Sequence, residues 1–236
     1  MLLYQPSRLQ SSVIARHRHA RPYATVVLSG RYEEAGDAGR FKVEPGDVLL
    51  HRPFSAHLDR ISGEVATVLD LPLPLYASFW PAKGRIADPD ELVRLSQTDR
   101  RSAVEYTLKE FRAVCDDGED IPDLLAKALA GVEAPAIGGW AEAAGRTREH
   151  VSRAFSAVYG VSPARYRSEA RARNAWQMIV AGNASLAAVA ADAGFADQAH
   201  MARAIRSFTG TTPTAWRKWA QRSSSRQEPT GEIAVS

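Results

Sequence analysis

Two sets of residues in this 236-residue chain have the types and spacing to do chemistry. The first is His17 and His19, two positions apart, followed by Tyr23 and later by His57. On an extended strand residues i and i+2 leave the same face, so the His17 and His19 rings point together. Three imidazoles gathered in one place could ligate zinc or another divalent ion. Without a metal, His17, His19, Tyr23 and His57 among apolar strand residues line a pocket for a small molecule. The second set lies far along the chain: Arg148, Glu149, Ser152 and Arg153, then Gln198, Ala199, His200, Arg203 and Arg206. Arg, Gln and His donate to base edges or phosphates, and short side chains between them let a helix approach a DNA groove closely.

The elements that must carry the second set form an internal repeat. Shifting the chain by fifty residues pairs Arg153 with Arg203, Phe155 with Ile205, Gly160 with Gly210, Pro163 with Pro213, Tyr166 with Trp216 and Arg167 with Arg217. Upstream, with one residue inserted, Ala141 pairs with Ala190 and Gly145 with Gly194. Such self-similarity marks a repeated supersecondary unit. In copy one, Trp140 to Ala144 reads as a short helix ended by Gly145, and Thr147 caps a second helix from Arg148 to Tyr159. Val151, Ala154, Phe155 and Val158 make its buried stripe, with Glu149, Ser152, Arg153 and Ser156 opposite. Pro163 opens a longer helix to about Val180. In copy two, Ser185 precedes a helix from Leu186 to Ala193, Gly194-Phe195 turns, and Asp197 caps Gln198 to Phe208. There Met201, Ala204, Ile205 and Phe208 form the stripe. A plain helical bundle with a solvated face is the alternative for one copy; two copies in register argue for two helix-turn-helix units.

Charge follows the same division. Residues 146–222 hold twelve Lys/Arg and four acids, a balance of +8, which leaves −5 for the rest of a chain whose net charge is +3. A basic half joined to an acidic half points to a polyanionic partner for one half only. No apolar run is long enough to span a bilayer, the first residues lack a signal-peptide pattern, and the single cysteine, Cys115, excludes an internal disulfide framework. These features favour the cytoplasm and no membrane partner. No nucleophile triad, phosphate-cradling glycine loop or Cys-x-x-Cys suggests other chemistry.

The segment from about Asp123 to Arg222 resembles the AraC/XylS family of transcription regulators. The most specific stretch is Ala190-Ala191-Asp192-Ala193-Gly194-Phe195-Ala196-Asp197-Gln198 through Gly210-Thr211-Thr212-Pro213-Thr214-Ala215-Trp216-Arg217, with Ile205 where Phe is commoner. The resemblance implies that a linker helix, here Pro163 to Val180 with Arg165, Tyr166, Arg171, Ala172 and Ala175, sets two recognition helices into successive major-groove segments on one DNA face. It places base contacts at Glu149, Ser152 and Arg153 and at Gln198, Ala199, His200 and Arg203, although Ser152 and Ala199 offer little hydrogen bonding. Gly131-Val132-Glu133-Ala134-Pro135 makes a loose approach to the first unit, unlike the family pattern.

From Ser12 to Leu71 short β-runs alternate with turns: Ala24 to Ser29 before Gly30, Val48 to Leu50 after Glu44-Pro45-Gly46-Asp47, and Val65 to Leu71. This half resembles cupins, in which His-x-His, a nearby Glu and a later His face into a barrel. Tyr23 stands at the Glu position, and His51 is a spare in the strand before His57. The incomplete set favours a small-molecule pocket over a metal, so no cofactor is expected, with a divalent ion on His17, His19 and His57 as the alternative. Arg16, Arg18, Arg21 and Arg52 are expected to be solvated.

The expected architecture is α+β and multi-domain. Residues 1–84 form a small cupin-like β-barrel sensor, 85–120 a helical connector, and 121–222 an all-α DNA-binding domain with helix-turn-helix units at about 138–160 and 186–210. Residues 223–236 form a disordered tail. The connector starts at Asp88-Pro89-Asp90 with Leu92 and Leu95. Its stripe of Val104, Leu108, Phe111 and Cys115, ending at Asp116-Asp117-Gly118, either packs on the barrel or pairs with a second copy. The expected function is a ligand-responsive, sequence-specific transcription regulator and not an enzyme. Its partners are double-stranded DNA and a small-molecule effector, with RNA polymerase and a second copy (a homodimer) as further candidates; activator or repressor stays open. The rival is a metal-dependent cupin enzyme, an oxygenase or isomerase, fused to a DNA-binding domain; Tyr23 in place of Glu counts against it.

Overall fold

The computed structural model describes residues 4–63, 65–74, 81–114, 119–131 and 133–225, with side chains through 222. The chain divides into two compact units, Met1–Asp123 with Val158–Gly160, and Leu124–Ala157 with Val161–Ser236.

The first unit carries strands β1 (Pro6–Gln10), β2 (Val13–Arg18), β3 (Tyr23–Ser29), β4 (Tyr32–Gly36), β5 (Gly39–Val43), β6 (Asp47–His51), β7 (Ala56–Arg60), β8 (Val65–Pro72), β9 (Lys83–Arg85) and β10 (Arg112–Ala113). Helices α1 (Pro89–Thr98) and α2 (Arg100–Glu110) lie between the last two strands in sequence. The strands form an antiparallel six-stranded sheet, β1-β8-β3-β6-β9-β10, and a four-stranded sheet, β2-β7-β4-β5. The expected barrel is therefore not closed among the described residues. Successive strands cross from one sheet to the other at β1–β2, β2–β3, β3–β4, β5–β6, β6–β7 and β7–β8, so neighbours in sequence are mostly not neighbours in a ladder. Gly30, at φ 74°, makes one of these crossings, and a Cβ there would collide with the Val65 carbonyl.

Alternation then sorts side chains to two faces. Val27, Tyr32, Val43, Leu49, Ile61, Ala66 and Val68 form one core with residues from both sheets. Val26, Val48, Leu50, Leu69 and Leu71 join Leu92 and Ala103 in a second core, with Val93, Leu95, Val104 and Phe111 partly buried against it. The six-stranded sheet is thus apolar on both faces, because α1 and α2 cover its second one. Asp88 caps α1 by accepting from the Glu91 amide at 2.9 Å, ahead of Pro89. Helices α1 and α2, from the expected connector, pack within this unit; Leu108 stays 39% exposed, and Cys115 to Gly118 lie outside the described residues.

The second unit contains α3 (Ile121–Ala130) from Leu124 onward, α4 (Ile137–Ala143), α5 (Arg148–Tyr159), α6 (Pro163–Ala181), α7 (Leu186–Asp192), α8 (Gln198–Thr209) and α9 (Pro213–Ser225). The two copies use the same local devices. Gly145 and Gly194 turn at φ 67° and 72°, conformations that favour glycine. Thr147 accepts from the His150 amide at 3.2 Å and Asp197 from the His200 amide at 2.6 Å, which starts α5 and α8. Ser162-Pro163 and Thr212-Pro213 start α6 and α9 with a hydroxyl cap before a first-turn proline. Ala136, before α4, makes no side-chain cap. No described helix is long and apolar enough to cross a membrane. Helix α9 takes in Ser223–Ser225, which the sequence assigned to a disordered tail; 226–236 lie outside the described residues.

Candidate nucleic-acid interface and buried histidine cluster

Helix α8 buries Met201, Ile205 and Phe208 and leaves Gln198, Ala199, His200, Arg203 and Arg206 exposed. Helix α5 buries Val151, Phe155 and Tyr159, leaves Arg148, Glu149 and Arg153 exposed and half-buries Ser152. Each helix is therefore fixed by one apolar stripe, and its other face is available to a partner. The anchoring is aromatic: Phe155 meets Tyr166 edge-on at 5.3 Å, and Trp176 meets Trp216 edge-on at 5.6 Å. The Trp216 indole N–H donates to Thr209 Oγ1 at 2.8 Å, while that hydroxyl donates to the Ile205 carbonyl. Phe195 in the second turn lies edge-on to His200 at 5.2 Å and beneath the Arg171 guanidinium at 5.6 Å.

Not all of the +8 segment is available to a polyanion. Arg217 donates through Nε to the Ile179 carbonyl at 2.8 Å and through Nη2 to the Ala184 carbonyl at 2.9 Å, satisfying the frayed end of α6. Its repeat mate Arg167 donates to the Pro135 carbonyl ahead of α4. Arg173 is buried, and Arg165 pairs with Glu169 at 3.0 Å. The repeat pair Arg167 and Arg217 is thus a pair of structural clasps. Arg153 and Arg203, a pair in the same register, are exposed on α5 and α8, together with Arg148 and Arg206.

In the first unit, alternation on β2, β3, β4, β6 and β7 delivers His17, Tyr23, Glu34, His51, His57 and Asp59 to one cluster, with His19 just beyond β2. The expected quartet does come together. The His17 and His19 rings lie edge-on at 4.8 Å and those of His19 and Tyr23 edge-on at 4.9 Å, while His17 and His57 are tilted to each other at 4.3 Å. The Tyr23 hydroxyl is 2.9 Å from His57 Nε2. His51, the supposed spare, stacks on Tyr23 at 4.2 Å and is buried. Glu34 and Asp59 are the residues sequence reasoning missed. Glu34 Oε2 sits 3.2 Å from His57 Nδ1, Glu34 Oε1 3.7 Å from His51 Nδ1, and Asp59 Oδ1 3.0 Å from His57 Nδ1. The same i, i+2 rule that paired His17 with His19 pairs His57 with Asp59 and Tyr32 with Glu34, so a signal was present.

Burial alone would keep the His57 ring neutral, but the Glu34 charge and the hydrogen bonds that the ring donates to Asp59 and Glu34 overcome it and push its pKa up to about 10. Burial raises the Glu34 carboxyl against the pull of His57. Burial, then the neighbouring imidazoles, holds His51 well below its ordinary value and His19 at about 4. His17 is lowered, first by burial. One expectation is corrected here: Arg16 is not solvated but pairs with Asp37 at 2.6 Å, with 8% of its side chain exposed, and donates to the Ala56 carbonyl. The irregular register in β2 between Ile14 and His17 breaks the simple alternation that placed it outside.

Residues 140–218 match a family model described as a helix-turn-helix domain. This segment is a helix-turn-helix domain. Solved structures similar to the chain include a transcriptional regulator with an AraC-type DNA-binding domain from Chromobacterium violaceum, at 22% identity over 39% of this chain and 83% of that one, TM-score 0.37. The DNA-binding domain of AdpA in complex with a target DNA is similar at 21% identity over 45% and 96%, TM-score 0.41. ToxT from Vibrio cholerae with a bound unsaturated fatty acid is similar at 11% identity over 90% and 93%, TM-score 0.40. No curated protein matches the chain.

Proposed function

We propose that the chain is a sequence-specific, double-stranded-DNA-binding transcription regulator whose first unit responds to a ligand through the cluster around His17, His19, Tyr23 and His57. The observation that carries the DNA reading is the duplicated helix-turn-helix unit, in which α5 and α8 are each pinned by a buried stripe and present Arg153 or Arg203 on the open face. Two unlike faces in one chain read two unlike, adjacent major-groove segments, so the site of a single chain is asymmetric. RNA polymerase and a second copy of the chain are further partners under this reading, and catalysis has no part in it. The ligand reading rests on a group of ionisable and aromatic side chains that a purely structural core would not need, since leaving polar groups buried is costly.

The test is selection of bound duplexes from a random-sequence library by the full chain, followed by footprinting. The expected result is one asymmetric motif spanning about two helical turns. Recovery of no motif above background, with the protein folded, would refute sequence-specific binding, and protection of a single groove segment would mean that one helix-turn-helix unit is only structural.

A further inference from the structure

We propose that Glu34, His51 and His57 form a three-ligand site for one divalent first-row transition ion such as Zn2+. Two of these residues lie outside the His-x-His and later-His pattern visible in the sequence. The ligand atoms of the three side chains lie within 4.8 Å of one another, and all three residues are buried. For Zn–N and Zn–O bonds of about 2.0–2.2 Å, ligand atoms around a tetrahedral ion stand roughly 3.3–3.5 Å apart. Glu34 meets this spacing on both sides, 3.2 Å from His57 Nδ1 and 3.7 Å from His51 Nδ1. A small cavity of about 10 Å³ touches Glu34, His51 and His57, room on the scale of a single ion.

The surroundings supply what a bound imidazole needs. With His57 Nδ1 on the ion, Nε2 keeps the ring proton and donates to the Tyr23 hydroxyl at 2.9 Å, which fixes the tautomer and the ring plane. A mixed set of two imidazoles and one carboxylate suits Zn2+, Fe2+ or Ni2+ rather than Ca2+ or Mg2+. The fourth position stays open. His17, His19 and His57 also converge, but His17 and His19 are only half-buried and bring no carboxylate. The two sets share His57, so one ion occupies one set or the other.

This assignment deepens the ligand reading of the first unit and names its ligand class, yet its test is separate from DNA binding. Full-length protein stripped with a chelator is titrated with Zn2+ and with Co2+ alone. Binding of one equivalent, a raised melting temperature and a visible Co2+ ligand-field band are expected. X-ray absorption of the wild type is expected to show two imidazoles and one carboxylate. Glu34→Gln and His51→Gln are expected to weaken binding by at least the roughly 10–100-fold that loss of a supporting residue alone costs, whereas His17→Gln and His19→Gln leave it within a few-fold. No stoichiometric binding by the folded wild type would overturn the site. So would three imidazoles in the absorption spectrum, or loss of the ion on changing His17 or His19 with retention on changing His51. The absorption result holds even if a variant fails to fold. Metal binding as expected with unaltered DNA affinity would refute the sensing role and leave the site standing.

Discussion

Arg203→Ala and Arg217→Ala remove the same charge from the same domain but are expected to fail differently. Arg203 is exposed on α8 and packs against none of Met201, Ile205 or Phe208, so its truncation opens no cavity. Surface changes of this kind shift stability by within about 0.5 kcal/mol. A lost bidentate base contact costs about 1–3 kcal/mol of binding, roughly 5- to 150-fold, and the loss depends on the base opposite. If Arg203 holds a phosphate instead, all sequences weaken alike and the salt slope falls by about one. Arg217 donates two charge-assisted hydrogen bonds to the Ile179 and Ala184 carbonyls, one of them exposed. At about 1.5–3 kcal/mol for a bond to a charged group, with the exposed one discounted, its loss costs roughly 2–4 kcal/mol of stability. For a unit of about 100 residues that lowers the melting temperature by about 8 °C or more. Calorimetric melts and anisotropy titrations on a selected duplex, well below the melting point, separate the two. Wild-type affinity for Arg203→Ala would remove α8 as a reader. An unshifted melt for Arg217→Ala would show that its two hydrogen bonds contribute nothing.

Affinity for the selected duplex is expected to fall as a steep power of salt concentration, because the basic segment displaces phosphate counterions; titration from low to physiological salt checks this, and a flat response would refute it. Asp197→Ala and Thr147→Ala each remove a helix cap and are expected to cost about 0.5–2 kcal/mol in chemical denaturation, more for Asp197, whose bond to the His200 amide is shorter. In metal-free protein the His57 ring is expected to stay doubly protonated in 15N NMR through pH 8, since its pKa stands at about 10. With the folded pKa raised above the ordinary 6.5, the native state holds the extra proton, so this contribution to stability is complete below about pH 6.5 and lost as pH climbs towards 10. Melts of wild type and His57→Gln at pH 6 and pH 9 read it: the wild type is expected to lose more on going to pH 9, and an equal loss would refute the assignment.

What was legible in the sequence is what local geometry decides. The helix boundaries of α5, α8 and α6 follow from Thr147, Asp197 and Pro163 and from apolar spacing, all within a few residues of the event they control. The shared face of His17 and His19 was reached by the period of two, and the convergence of Tyr23 and His57 with them by the resemblance to cupins. What failed depended on partners distant in the chain. Arg16 reads as solvated until β2's irregular register brings it to Asp37, and Arg217 reads as part of a basic face until Ile179 and Ala184 claim it. Closure of a barrel is likewise a statement about which strands meet, and no local pattern encodes it.

Glu34 shows most sharply where local reasoning stops. In sequence it is the second of two adjacent glutamates on a short strand, and alternation alone sends one of Glu33 and Glu34 inward without saying which. The choice is made by Tyr32, whose ring belongs to the core between the sheets, so that Glu34 must follow it inside and Glu33 must face Arg60. A carboxylate forced inward by its neighbour's ring is expensive unless something there needs its charge. His57 answers that need directly, and His51 stands within 3.7 Å of the same carboxylate. The cluster is therefore not three histidines lacking a carboxylate, as the pattern around Tyr23 suggests, but two buried histidines already facing one. That difference moves the centre of the site from the half-exposed end of β2 to the buried strands β4, β6 and β7.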